Sequence, residues 1–247
     1  MYEAGPVFFG CQQSSFREVK DVSDVILDLR GKKLPKSLIL HLFGSKAAPV
    51  VTLADVHAVL FENAYLSKDL MATCLCRLRT LDRRTQFVHP VAWDKGENAS
   101  KYMPQGVKDV SGIVSKFPFD TKRVFFPFMV GRAWVLCVFV KDGPYALLAY
   151  PHSVRLPAHT IPFLKGVLLL FLGSRDIAAK TLFRCFAFES SDQDSGFLVH
   201  SICYHLQSCQ ELDISSWPQD ALNARKFLAA ELIGLNPERF TCFCLAV

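Results

Sequence analysis

The stretch from Phe188 to Leu206, FESSDQDSGFLVHSICYHL, constrains the fold of this chain more than any other. A polar loop, Glu189 to Asp194, runs into Ser195-Gly196, and Phe197, Leu198, Ile202, Cys203 and Leu206 then recur at helix spacing. Apolar residues cover so much of the circumference that the predicted helix must be buried, with its polar start at the edge of a cleft. A loop that feeds a residue onto the N-terminus of a buried helix is a common way to build a nucleophile site. Unpaired N–H groups and a partial positive charge at that end stabilise an anion. A cysteine at position 195 would have its thiol pKa lowered there; this chain has a serine.

The rest of the chain supplies a large core for such a helix. With 247 residues, 51% apolar and 21% charged, it reads as one well-cored domain burying roughly 70–75% of its unfolded surface. The most apolar run, Ile161 to Gly173, is interrupted by Pro162, Lys165 and Gly166, so no membrane span is predicted. MYEAGPVFFG has no basic region ahead of an apolar stretch, so no secretory signal is expected. Nine cysteines, with Cys74-x-Cys76 and Cys242-x-Cys244 in apolar surroundings, lack further ligands at metal spacing. They read as buried thiols of a reducing compartment, nucleus or cytoplasm, with no metal and no cofactor. The formal charge of +5 permits an acidic partner and does not indicate nucleic acid.

Residues 1–50 alternate short apolar runs with turns, Val22 to Leu29 and Leu38 to Phe43 reading as strands, and suggest an N-terminal extension packed on a main domain of residues 51–247. A helix is expected to open at Thr52, as N-cap with Asp55 three residues on, and a second to run from about Ser67 to Leu81, with Leu70, Met71, Cys74, Leu75 and Leu78 on its apolar side. The basic cluster Arg77, Arg79, Arg83 and Arg84 ends it; such a cluster is more often a solvated helix end than a phosphate site. Residues 94–112 read as a surface loop. From Arg123 the pattern turns to β: VFFPFMV, AWVLCVFVK and YALLAY, the last two joined by the turn signal Asp142-Gly143-Pro144. A helix from about Pro162, a short strand from Leu182 to Phe188 and, after the buried helix, a closing helix that stops at Gly234 complete the pattern. Strands grouped between helices make the class α+β, with a central mixed sheet flanked by helices and a buried helix after position 195.

The order of short motifs resembles the ubiquitin-like-protein-specific cysteine proteases, the Ulp/SENP family of the papain-like clan. Asp194-Ser195-Gly196 is similar to the family's D-C-G, and Glu189 stands where the family has a glutamine that donates to the oxyanion. Tyr65-Leu66-Ser67-Lys68 resembles W-L-N-D, whose aromatic lids the tunnel for the modifier's Gly-Gly tail and whose aspartate grips the modifier's basic surface. Ala133-Trp134 falls on the family's H-W, so the general-base position holds a methyl group. The orienting aspartate falls at Pro151 or His152, with His152-Ser153-Val154 the preferred match to D-S-L. The likeness covers about residues 50 to 235 and implies a Ulp-like fold whose degenerate catalytic positions are Ala133, His152, Glu189 and Ser195.

The chemistry of those residues argues against turnover. A serine hydroxyl is hardly ionised at neutral pH and needs an adjacent strong base. A carboxylate at the oxyanion position opposes the charge that must develop; loss of one oxyanion donor alone costs roughly 3–4 kcal/mol. The leading expectation is a pseudoprotease retained as an interaction scaffold or adaptor, with Tyr65, Lys68 and Trp134 as candidate partner-binding residues and a ubiquitin-like modifier among the candidate partners. Trp134 either lines a groove or packs in the core. Two alternatives stand beside it: a hydrolase with a rearranged site using Ser195 with His152 or His200, and an unrelated α+β binding protein.

Overall fold

Strand-period sequence from Arg123 onward builds the sheet on which everything else is mounted. In a computed structural model of the protein, residues 39–40, 51–52, 54–55, 58–59, 64–81, 84–88, 91–93, 117–118, 120–141, 143, 145–208, 214, 217 and 220–234 are described. In chain order the elements are β1 (Ile39–Leu40), β2 (Val51–Thr52), α1 (Lys68–Leu81), β3 (Thr85–Phe87), β4 (Val91–Trp93), β5 (Arg123–Val130), β6 (Ala133–Val140), β7 (Tyr145–Pro151), α2 (Thr160–Leu172), α3 (Arg175–Lys180), β8 (Leu182–Phe188), α4 (Ser195–Ser208) and α5 (Ala221–Gly234).

β1 and β2 pair antiparallel as a small separate sheet. The main sheet is mixed, in the order β3-β5-β6-β7-β8, with β4 also pairing with β5. β5, β6 and β7 are antiparallel neighbours, whereas β3 and β4 run parallel to β5 and β8 runs parallel to β7. Two residues join β5 to β6, and Gly131 takes φ 64°, the left-handed region that a tight hairpin turn requires. The α+β class and the central mixed sheet flanked by helices are as the sequence predicts.

Period-2 alternation divides the sheet's side chains between two cores. Phe125, Trp134, Leu136, Val138, Leu147, Ala149 and Phe188 face α1, α4 and α5. Phe126, Phe128, Val135, Cys137, Phe139 and Leu148 face α2. The five apolar positions predicted for α1, Leu70, Met71, Cys74, Leu75 and Leu78, are all buried. Ser67 caps that helix, its hydroxyl accepting the Leu70 N–H at 3.1 Å. α4 is the buried helix of the sequence analysis: every residue from Ser195 to Cys203 is inside.

Some expectations are amended and others fall outside the described residues. Thr52 ends β2, residues 54–55 and 58–59 are helical, and residue 53, on which the expected cap depends, lies outside the described residues. The helix from Pro162 starts two residues earlier and is two helices, because Gly173 at φ 66° closes α2 and Ser174 caps α3. β3 and β4 are additional strands. Of the expected N-terminal extension, residues 1–50, only β1 is described, and residues 94–112 and Arg83 lie outside the described residues.

Candidate functional site

β6 begins at the same end of the sheet where the parallel pair β7 and β8 finishes. The β6–β7 pairing runs from Val138↔Leu147 to Leu136↔Ala149, and beyond it β6 leads back to Ala133 and β7 leads on to His152. The His152 N–H donates to the Phe188 carbonyl at 2.8 Å, which holds His152 beside the residue preceding Glu189. α4 then delivers Ser195 to this end from the helical side. Ser195 is thus brought beside Ala133–Trp134, and His152 beside the residue before Glu189, at the end of the sheet where β6 begins and β7 and β8 finish.

What Ser195 does there follows from its hydrogen bonds. Its Oγ accepts the Trp134 backbone N–H at 2.9 Å and donates to the Asp192 carbonyl at 2.7 Å. The accepted N–H belongs to the peptide that joins Ala133 to Trp134, so Ser195 sits directly beside the position where a base would stand. The hydroxyl's proton goes to a carbonyl, which is no base, and one of its two lone pairs is engaged by an amide. The residue is 0% exposed. His200 lies five residues further along α4, on another side of the helix, where its ring stacks with Phe227 of α5 at 6.2 Å. His152 is exposed, and so is Glu189. Among the described residues, no histidine is a hydrogen-bond partner of the Ser195 hydroxyl.

Trp134 settles into the core and does not line an open groove, which corrects one of the two readings of it. It is 0% exposed, and its indole N–H donates to the Leu66 carbonyl at 2.9 Å. The indole lies against Gly196 so closely that a Cβ on that glycine would stand 2.7 Å from Trp134 Cδ1 and 2.6 Å from Leu66 Cβ. Glycine after Ser195 is therefore a requirement of packing. Of the remaining candidate contact residues, Tyr65 is 38% exposed, with the Arg132 guanidinium 5.9 Å from its ring centroid, and Lys68 is half-buried at the start of α1.

The loop that carries Ser195 is pinned by a group to which the sequence assigned no role. Arg225 of α5 is 6% exposed, and its Nε meets Asp194 Oδ1 at 2.7 Å. The same guanidinium donates to the carbonyls of Val59 and Ala64, at 2.9 and 3.3 Å, and lies 4.0 Å from the Phe197 ring centroid. The other carboxylate oxygen of Asp194 accepts from the Ser191 hydroxyl at 2.7 Å, and the Asp194 carbonyl accepts two N–H groups of the first turn of α4, those of Phe197 and Leu198. One aspartate therefore starts the helix and ties it to the segment before Tyr65. A buried cation in the closing helix was the available signal, but an arginine in a helix normally reads as surface.

Among the described residues, no group of three or more His, Cys, Asp or Glu side chains is placed to hold a metal ion, and no helix is long and apolar enough to cross a membrane.

No protein-family model matches this chain, and no curated protein matches it significantly. Solved structures do. The C-terminal Ulp1 protease domain in complex with Smt3, the yeast ortholog of SUMO, superposes with a TM-score of 0.63 at 12% identity, covering 88% of this chain and 94% of that one. SUMO protease Ulp1 with its catalytic cysteine oxidised to a sulfinic acid gives 0.61 at 12% identity over 93% and 98%. The catalytic domain of the Ulp1-like SUMO protease of Chaetomium thermophilum gives 0.59 at 12% identity over 91% and 90%. At such identity the likeness speaks for architecture and not for chemistry: the chain has the fold of the Ulp1-like SUMO proteases over nearly its whole length.

Proposed function

We propose that this domain is a catalytically inactive relative of the Ulp/SENP proteases that serves as a protein-interaction scaffold or adaptor. The observation that carries the reading is the Ser195 hydroxyl, buried and committed to the Trp134 N–H and the Asp192 carbonyl. A nucleophile needs a free lone pair, a base to take its proton and donors for the oxyanion. Ser195 Oγ is held by one backbone N–H and one backbone carbonyl, Ala133 accepts no proton, and Glu189 is a carboxylate. Incubation with SUMO and ubiquitin C-terminal fluorogenic substrates is expected to give no turnover above buffer. Turnover that disappears in Ser195→Ala would overturn the reading and revive the hydrolase that pairs Ser195 with His152 or His200.

The fold also supports a narrower version, in which the partner is a ubiquitin-like modifier, since the similar yeast domain is seen with Smt3. Two features weigh against docking in that manner: Lys68 puts a cation where the resemblance implies an acid, and Trp134 is inside the protein. Calorimetry with SUMO and ubiquitin decides it. Micromolar binding lost on Tyr65→Ala, a change at a 38% exposed residue that leaves the core alone, would establish the modifier as partner; absence of heat would remove it.

A further inference from the structure

The two edges of the main sheet are treated differently. One is divided between β3 and β4, three residues each, and short edge strands offer little to pair with. The other is β8, seven residues long and in unbroken register with β7 from Tyr145↔Leu182 to Pro151↔Phe188. Among the described residues β8 pairs only with β7, so its outward N–H and C=O groups form a row on the free side. The devices that normally blunt such an edge are missing: LFRCFAF contains no proline, no glycine and no bulge. Its single charge, Arg184, is exposed, and its guanidinium lies over the sheet face 5.6 Å from the Tyr145 ring centroid, where it faces a partner's side chains without blocking the backbone edge.

The side chains along this edge define what would pair with it. Leu182 is 73% exposed, and Ile177 of α3 is 53% exposed. The Thr181 N–H bonds to the Ile177 carbonyl, so the two apolar residues belong to one short corner. Cys185 and Ala187 are exposed and small, leaving room for a backbone to approach. Lys180, the last residue of α3, and Arg184 put two exposed cations around the strand's start, with Asp176 before them and Glu189 past the far end. We infer that β8 is a strand-addition site for an extended segment of a partner protein, apolar where it meets Ile177 and Leu182 and carboxylate-bearing opposite Lys180 and Arg184. Main-chain bonds would supply the affinity and the cations the choice of partner. This surface is separate from the Ser195 end and does not depend on whether that end is inactive.

The test uses the full chain, a fluorescein-labelled nonapeptide of alternating Glu and Val, and its Lys/Val counterpart, read by polarisation and by amide hydrogen exchange. In the free protein every second amide of β8 should exchange fast, because alternate N–H groups point outward. The Glu/Val peptide should bind saturably and slow exchange at residues 182–188, and the Lys/Val peptide should not bind. Lys180→Glu with Arg184→Glu should weaken binding at least tenfold; Leu182→Glu, at a site too exposed to matter for folding, should do likewise. Slow exchange of all β8 amides in the free monomer would show the edge already covered by another part of the chain. Concentration-dependent association by light scattering that protects β8 would show a second copy there. Either result, absence of binding, or affinity unchanged by charge reversal would overturn the proposal.

Discussion

Replacing Ser195 with alanine separates a structural hydroxyl from a catalytic one by the sign of the stability change. Removal of a working nucleophile commonly leaves a protein as stable or more so, because active sites hold groups at some cost to the fold. Here the hydroxyl satisfies the Trp134 N–H, and both residues are 0% exposed. Alanine leaves that donor unpaired in the core, and an orphaned buried donor costs roughly 1–3 kcal/mol. The other bond, to Asp192, contributes less, since Asp192 is exposed and water can replace the lost donor. About 2 kcal/mol is therefore expected, which for a domain of this size lowers Tm by roughly 4–8 °C. Thermal unfolding followed by circular dichroism, with urea midpoints at unchanged m, measures it. A Ser195→Ala protein as stable as the natural one would refute the argument that this hydroxyl is a staple.

Gly196→Ala should destabilise by roughly 1–3 kcal/mol through overlap with Leu66 and Trp134, reversing the usual gain of roughly 0.5–1 kcal/mol for that change inside a helix; a raised urea midpoint would contradict it. Asp194→Ala should cost about 3 kcal/mol, because it strands the Arg225 guanidinium at 6% exposure, and the same urea titration reads it. Burial pushes the Cys137 and Cys203 thiols up, so the unfolded chain loses these protons first and stability should fall as pH rises above about 8.5; urea midpoints at pH 7 and 9.5 measure the drop. Iodoacetamide mapped by mass spectrometry should label exposed Cys185 in the native protein and spare Cys137 and Cys203. Ser195→Cys alone should give no proteolysis of SUMO precursors, since Ala133 supplies no imidazole; turnover by that variant would count against the inactive reading.

The parts of the fold that were legible are those whose signal is local. β5, β6, β7 and β8 announce themselves as β-branched and aromatic runs between turn residues, and α4 is apolar over most of its circumference. β3 and β4 were not legible, because TQF and VAW become strands only by lying parallel to β5, and nothing local requires it. The break between α2 and α3 was written in Gly173-Ser174, a helix stop followed by a helix cap. The site divides in the same way. Its positions could be named from motif order, but the Ser195 bond reaches across 61 residues to a backbone amide, and no pattern of side chains encodes that.

The geometry at the start of α4 is one in which the loss of chemistry proposed above need not loosen the site. Each group that positions Ser195 also has a packing duty independent of any reaction. Trp134 holds Leu66 through its indole N–H and Ser195 through its amide; Gly196 admits the indole; Asp194 starts the helix while holding Arg225. Ala133 is 1% exposed, so the sheet end is closed over its methyl group. Once closed, the site prefers an oxygen at position 195, since bonds of 2.7 and 2.9 Å suit a hydroxyl and are shorter than a sulfur atom accepts without displacement. Activity would then require a base, an oxyanion donor and a reopened cleft together, and each change by itself disturbs packing without completing a mechanism. The open edge at β8 carries no such constraint, because its seven residues already present what strand pairing needs.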